Sequence, residues 1–449
     1  MPGHEHCPMS NANFSHALCS VQRFCQPKEE MRVVFAPWGS FGDLHPYLAV
    51  AIEMKTRGHE VLIATSAIYR DKVESEGLPL YPVRPDMQPY LDDPEAMAQV
   101  MHRYRGPERI FRGIIMPAIR DSFEDLREAA NGTELLVGHV AMCAAPIVAE
   151  SLNLRWVSIA LQPAVFWSAT DPAYFPLTRD WIRASPILAR SAFRLMRGLT
   201  NQWMKPLYRL RHDLGLRKGS HPLFEGQFSP WGTLAWFSPL LAPPQPDWPK
   251  GTITTGFPFY DKLDAASSGL SPELDHFIRS GEPPIVFTLG TSAAMTPGNF
   301  YETSASAAKQ LGRRAVLLAG RDFRKRLSIS QTETIKIADY APYSAIFPRA
   351  AAVVHSGGIG TTAQALRAGR PMVVAPFSHD QPDNGARITR LGVGKVVPRN
   401  AYTASRIVVE LEALLASDTI REKAVAIGKQ IQKEDGIRAA ADALERIGP

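Results

Sequence analysis

One pattern dominates this chain: short apolar runs end at glycine or polar turns and give way to stretches whose apolar residues recur at helical spacing. The run MRVVFAPW enters a glycine-containing turn, HPYLAVAIEMKTRGH carries helical periodicity until Gly58, and EVLIATS follows as a second strand. The alternation continues through ELLVGHV, APIVAESLNL and RWVSIAL, and resumes later in PPIVFTLGTS, RRAVLLAG, TIKIADY, AAVVHSG and RPMVVAPFS. Strands that are apolar throughout and separated by helices belong in parallel sheets covered on both faces. At 449 residues the chain exceeds one ordinary core. The expected fold is therefore α/β, with two doubly wound domains in series.

The texture breaks at LAPPQPDWPKG, where Pro243, Pro244, Pro246 and Pro249 forbid a helix and favour an extended connector. This divides the chain into an extension over 1–30, a first domain over 31–250, a linker over 251–270, a second domain over 271–430 and a C-terminal helix over 431–449. The extension has neither the apolar core of a signal peptide nor the pattern of a transit peptide, and Met31 stands as a second candidate start. It holds Cys7, Cys19 and Cys25 near His4, His6 and His16, without the tight spacing of a zinc site. Only Cys143 lies in the body, so no disulfide framework is expected and a reducing cytoplasm is the simplest location.

No run of 18 apolar residues crosses a bilayer in this sequence. The net charge of +6 is concentrated in 179–217, where Arg and Lys interleave with Trp, Leu, Ile and Phe at helical spacing. Basic surface helices over an apolar core account for that pattern, and so does a peripheral patch at the inner membrane face or beside a greasy acceptor. Nucleic acid is not an expected partner.

Two turns carry chemistry. In the second half, a strand breaks at His355, Ser356, Gly357, Gly358, Ile359, Gly360 and Thr361 and opens a helix. Glycines there let backbone N–H groups point outward, and the helix N-terminus adds positive charge, which together cradle an anion. His355 can donate to the same anion. Glycine at such a turn also serves steric needs alone, and a lone histidine is often structural. The next strand brings Asp380, Gln381, Asp383 and Asn384 to the same sheet edge, where open α/β sheets bind ligands. A carboxylate beside an amide suits neighbouring sugar hydroxyls, although a helix-capping turn would use the same residues.

The segment 355–388 resembles the donor-binding signature of the family 1 glycosyltransferases, and similarity extends over nearly all of 31–449. The resemblance implies two facing Rossmann-like domains of the GT-B type with a cleft between them. It implies that His355 and the amides of 357–361 hold the diphosphate of a nucleotide sugar, and that Asp380 and Gln381, with Asn384 beside them, hold the sugar. Tyr340, Ala341, Pro342, Tyr343 and Ser344 resemble the loop that packs on the base, with Tyr340 where plant members carry Trp. Thr291 and Ser292 resemble a second phosphate-proximal turn. In the first domain the turn 39–46 reads GSFGDLHP; bacterial members acting on glycopeptides, sterols or lipid-like acceptors resemble it in carrying Gly-Asp. This places Asp43 as the general base, with Gly42 on the donor side. His45 and His139 are rival bases, and Asp43 also suits an N-cap. Phe166, Trp167, Tyr174 and Phe175, in the long loop 160–177, are the expected acceptor contacts, with core or lid packing as the alternative.

The sequence contains no D-x-D triplet, so the resemblance implies an inverting transfer without a metal or other cofactor. The segment 235–261 is similar to bacterial rhamnolipid rhamnosyltransferases and their flavonoid-modifying cousins, which favours TDP-rhamnose over UDP-glucose and a hydrophobic, hydroxylated acceptor. Three other readings make different demands on the sequence. A dinucleotide oxidoreductase needs G-x-G-x-x-G in the first turn and an acidic residue after strand two, and both are missing. A nucleotide-sugar epimerase needs no long apolar acceptor loop. A binding protein would hold donor without consuming it.

Overall fold

The computed structural model describes residues 30–175, 178, 180–261, 269–320, 324 and 327–448. Expectations for 1–29, including its cysteines and histidines, for Pro176 and Leu177, and for 262–268 of the linker lie outside the described residues. The first sheet comprises β1 (Arg32–Ala36), β2 (Glu60–Thr65), β3 (Leu80–Pro82), β4 (Leu135–His139), β5 (Arg155–Ala160), β6 (Thr233–Ala235) and β7 (Thr252–Thr254), in the order β3-β2-β1-β4-β5-β6-β7. The second comprises β8 (Ile285–Thr288), β9 (Ala315–Leu318), β10 (Ile335–Ala338), β11 (Ala352–His355), β12 (Met372–Val374) and β13 (Gly394–Val396), in the order β10-β9-β8-β11-β12-β13. Every pairing is parallel.

The strand sequences explain the layers. In β1, Val33 and Phe35 enter one core while Val34 and Ala36 enter another on the opposite face, all fully buried. In β11, Val353 likewise points into one core and Ala352 and Val354 into a second. Each sheet is thus covered on both sides, as expected of its unbroken apolar strands. In each sheet the strand order reverses beside the first strand, between β1 and β4 and between β8 and β11. Crevices open at the carboxyl ends of strands at such switch points, and both turns singled out in the sequence lie there.

Six helices position the rest: α1 (Phe41–Thr56), α2 (Pro94–Val100), α3 (Pro186–Thr200), α4 (Ile359–Arg367), α5 (Gln381–Leu391) and α6 (Gly436–Ile447). The helix expected to begin near Pro46 starts five residues earlier, with Ser40 as N-cap and Pro46 inside it. The stretch rich in proline is followed by β7, which pairs with β6 and so extends the first sheet beyond Lys250.

The two domains are clasped from several sides. Met97 and Met101, at and just after α2, are buried in the core that holds Phe287, Leu289 and Val354 of the second domain. Burying such a side chain stabilises by roughly 1.5–3 kcal/mol. Helix α6 returns to the first domain, where Ala440 and Leu444 join the core of α1 and Arg57 pairs with Asp442 at 2.6 Å and Glu445 at 2.9 Å. Cys143 is buried, its thiol pushed up to about 12 by burial, so it serves packing rather than reactivity. Among the described residues no helix is long and apolar enough to cross a membrane.

Candidate active site

Asp43 stands at the third position of α1, and its neighbours fix the carboxylate. Ser40 Oγ accepts from the Gly42 N–H at 3.2 Å, while Asp43 Oδ2 accepts from the Ser40 N–H at 2.7 Å and from its hydroxyl at 3.1 Å. These are the reciprocal bonds of a capping box. Asp43 therefore shares in capping, although Ser40 is the N-cap itself. Gly39, at φ +131°, makes the fold-back possible, because a Cβ there would lie 2.3 Å from Asp43 Oδ2. Burial raises the Asp43 carboxyl to about 6 despite the Ser40 bonds that favour its charged form. A carboxylate so raised is a stronger base than an exposed one.

Across the cleft, β11 ends at His355 and the chain turns into α4. The ring of His355 is fully buried: Nδ1 accepts from the Gly357 N–H at 3.0 Å, Nε2 lies 3.5 Å from Met372 Sδ, and burial lowers the imidazole to about 3. The expectation that this side chain donates to an anion is corrected here. A neutral ring enclosed by protein shapes the turn instead. Gly357, at φ +91°, sits where a Cβ would come within 2.6 Å of Val374 Cγ1, whereas a Cβ on Gly358 or Gly360 would meet nothing within 4 Å. The space over the turn is open, and the first N–H groups of α4, at Ile359, Gly360 and Thr361, have no partner within the helix. That is the anion cradle, made of backbone and helix charge.

Side chains around the turn brace it. Buried Ser356 Oγ donates to Leu289 O at 2.7 Å, and Tyr343 hydroxyl bonds Thr288 Oγ1 at 2.9 Å and interacts with Thr361 while its ring stacks on Phe347. Tyr343 thus supports the cradle from below. Thr291 is exposed and Ser292 half-buried on the short helix Gly290–Ala293, next to Thr361. Tyr340, 62% exposed, leads into buried Ala341 and Pro342 and half-buried Ser344, so of this loop it offers the largest accessible ring.

Asp380 is the N-cap residue of α5. Asn384 Nδ2 donates to Asp380 Oδ2 at 2.7 Å and to Gly357 O at 2.9 Å, tying the carboxylate to the glycine turn. Gln381 is buried, its Oε1 accepting from the Phe377 N–H at 2.8 Å and from the Ser378 N–H at 3.2 Å. Burial first, and then the negative charge of Asp43, push the Asp380 carboxyl up to about 7. Asp380 therefore feels the charge of Asp43 from the opposite domain, each residue standing at the head of a helix, with Asp380 beside the anion cradle.

Residues 33–155 match the family model described as the glycosyltransferase family 28 N-terminal domain, and residues 316–436 match the erythromycin biosynthesis protein CIII-like C-terminal domain. Among curated relatives, the O-mycaminosyltylonolide 6-deoxyallosyltransferase of Streptomyces fradiae is 28% identical, covering 92% of this chain and 97% of the relative. A sterol 3-beta-glucosyltransferase of Arabidopsis thaliana is 27% identical over 92% of this chain, which spans 65% of that relative's length. The chain is a glycosyltransferase of the family 1 type. Its fold agrees with solved structures: the kitacinnamycin glycotransferase superposes with a TM-score of 0.72 at 19% identity, covering 94% of this chain and 100% of the other. A spinosyn rhamnosyltransferase complexed with thymidine diphosphate gives 0.66 at 19% identity, covering 92% and 100%. The glycosyltransferase has the two-domain GT-B architecture.

The remaining expected residues divide. His45 stacks on Tyr260 at 4.9 Å and also packs on Phe41, which places it against the connector rather than beside Asp43. His139 ends β4 on the same edge as Asp43 and is buried, its imidazole lowered to about 4, with Nδ1 accepting from the Ala141 N–H and Nε2 without a partner among the described residues. Phe166 is buried in the core between Trp248 and Phe228, whereas half-buried Trp167 packs on Phe224 and on half-buried Phe175 while its Nε1 donates to Leu223 O. Phe166 thus takes the alternative of core packing. Tyr174 lines open space between the domains, its N–H donating to Asp383 Oδ1 at 2.9 Å.

The sequence reading missed the ties that hold the glycosyltransferase's halves in register. Asp171, in the same loop, accepts from Arg387 at 2.6 Å and from Arg390 at 2.8 Å, and Arg387 also donates to Asp383. Arg387 side chain is only 3% exposed, and removing one partner of such a buried group costs several kcal/mol, roughly 3–5. No spacing signal marks a contact spanning more than two hundred residues. Among the described residues, no group of three His, Cys, Asp or Glu side chains gathers as metal ligands.

Proposed function

We propose that this glycosyltransferase takes a sugar from a thymidine diphosphate sugar, with rhamnose the favoured sugar over glucose from a uridine diphosphate donor, and moves it to a hydroxyl of a hydrophobic small molecule. The observation that carries the reading is the placement of Asp43 at the head of α1 and of Asp380, tied to the glycine turn through Asn384, beside the anion cradle of α4. A deoxysugar is favoured by the name of the Streptomyces fradiae relative, and a hydrophobic acceptor by those of both curated relatives.

In this reading the diphosphate sits over Gly358 and Gly360, and Asp380 grips the sugar's hydroxyls. The acceptor O–H gives its proton to Asp43 as its oxygen attacks the anomeric carbon from the face opposite the diphosphate. The bond from that carbon to the diphosphate oxygen breaks, and the leaving group carries the electron pair toward the amides of α4. A placed base contributes about 10² to 10⁴ in rate. Each preorganised donor facing the developing charge is worth about 10² to 10³. No metal enters these steps.

Helix α3 supports contact with an anionic membrane surface: Ile187, Leu188, Leu195 and Leu199 are exposed alongside Arg190, Arg194 and Arg197. Co-sedimentation with phosphatidylglycerol vesicles tests that contact, and equal recovery with neutral vesicles counts against it. The transfer itself is tested by incubating the protein with TDP-rhamnose or UDP-glucose and mixed phenols and lipids, then measuring mass gains. A glycosylated product is expected. Donor hydrolysed without product would favour an epimerase or hydrolase, and donor bound but never consumed would leave a binding protein.

A further inference from the structure

Beside α5 lies a groove of about 1060 Å³ that the transfer chemistry does not use. Met101, Arg103 and Tyr104 wall it from the first domain, joined by Tyr174 and Arg183, and the outer face of α5 with Phe377 and Arg399 walls it from the second. Its volume is that of a small-molecule site. Pro382 and Asp383 lie on its wall, so one end comes within a turn of Asp380.

The charges in the groove do not balance. Among the described residues Asp383 is its one carboxylate, and its oxygens are taken by the Tyr174 N–H and by Arg387. Arg387 and Arg390 are satisfied by Asp171. Arg183 reaches Asp180 at 3.5 Å, donates from Nε to Pro172 O at 3.2 Å and lies over the Tyr174 ring. Arg399 rests on the Phe377 ring at 4.2 Å and donates to Thr296 O, and Arg103 rests on the Tyr104 ring at 5.5 Å. Among the described residues neither Arg103 nor Arg399 has an ion-pair partner. Both residues are exposed at the groove, and partial desolvation beside Phe377 lowers the Arg399 guanidinium from its usual value. Cations resting on rings keep their N–H edges available for an anion, while Met101, Tyr104, Tyr174 and Phe377 supply apolar wall.

We infer that this groove holds the non-reacting part of the acceptor, and that the acceptor is an anionic amphiphile whose carboxylate or phosphate lies between Arg103 and Arg399 while its apolar body extends toward Asp380. The acceptor role rests on the proposed transfer at Asp43; the preference for an anion rests on the groove alone.

The test measures calorimetric binding of decanoate, decyl phosphate and decanol, each below its micellar limit, to the full chain in the presence of TDP. Decanoate and decyl phosphate are expected to bind at least tenfold tighter than decanol. A preference for the phosphate over the carboxylate would mark a phosphate-headed ligand, and the reverse a carboxylate. The double variant R103Q/R399Q should bind all three alike while its TDP affinity stays within about twofold, with Arg399→Lys keeping part of the preference. Equal binding of decanol and decanoate to the wild type, or an undiminished preference in the double variant, overturns the inference. Failure of the wild type to bind TDP in the same cell would overturn the transfer reading and leave the groove's anion preference standing.

Discussion

Replacing Asp43 by Asn separates two jobs that the structure gives one side chain. The carboxylate caps α1 through Ser40 and, in the proposed reaction, takes the acceptor's proton. Asparagine Oδ1 can still accept from the Ser40 N–H, so the cap changes by less than about 1 kcal/mol. An amide cannot take the proton, and losing a placed base costs about 10² to 10⁴ in turnover, or roughly 3–5 kcal/mol of transition-state stabilisation. Asp43→Asn should therefore bind TDP by calorimetry as the wild type does, melt within a few degrees of it, and lose at least a hundredfold in kcat on whatever donor and acceptor the mass screen identifies. Ser40→Ala supplies the contrast: it removes the acceptor for the Gly42 N–H, costs about 0.5–2 kcal/mol of stability, and keeps the base. The wild-type pH profile should fall on the acid side near 6, where the raised Asp43 carboxyl takes up its proton, and that limb should vanish from the residual activity of Asp43→Asn. If Asp43→Asn turns over within about threefold of wild type, or Ser40→Ala loses as much as it does, Asp43 is a capping residue and not the base.

Gly357→Ala forces a side chain into φ +91° and against Val374, so TDP affinity should drop at least tenfold in calorimetry even where the domain still folds. Asp380 is raised to about 7 in the folded protein, so folding retains a proton that the unfolded carboxyl releases near its ordinary value; that stabilising contribution is full at acid pH and is lost as pH rises through 7. Asp380→Asn should accordingly raise the melting temperature relative to wild type at pH 8, with the gain shrinking toward pH 5, as scanning calorimetry at both pH values will show. Turnover measured after dialysis against EDTA should equal that in magnesium; recovery of lost activity by a divalent ion would contradict the proposed metal-free step.

Much of the architecture was legible because it rests on local pattern. Strands such as β1 and β11 are apolar on both faces, which only a covered parallel sheet accommodates, and glycines at 39 and 357 mark the two switch-point turns where the backbone leaves ordinary φ values. The start of α1 was also within reach: Ser40 and Asp43 have the spacing of a capping box, but Pro46 looked like a first-turn residue. Side-chain direction was not legible. His355 and Phe166 have chemistry suited to a site, and only the packing around each shows that it faces inward. The least visible features are those joining distant parts of the chain, such as Met97 under the second sheet, Arg387 with Asp171, and the raised carboxyl of Asp380 opposite Asp43. Their cause is the meeting of two domains, which no local window contains.

A crystal structure with TDP bound tests the central claim most directly. The account predicts phosphate oxygens within about 3 Å of the backbone N–H groups at the start of α4, with the terminal phosphate directed at the gap between Asp43 and Asp380. TDP bound elsewhere, or phosphates turned away from that gap, would contradict it.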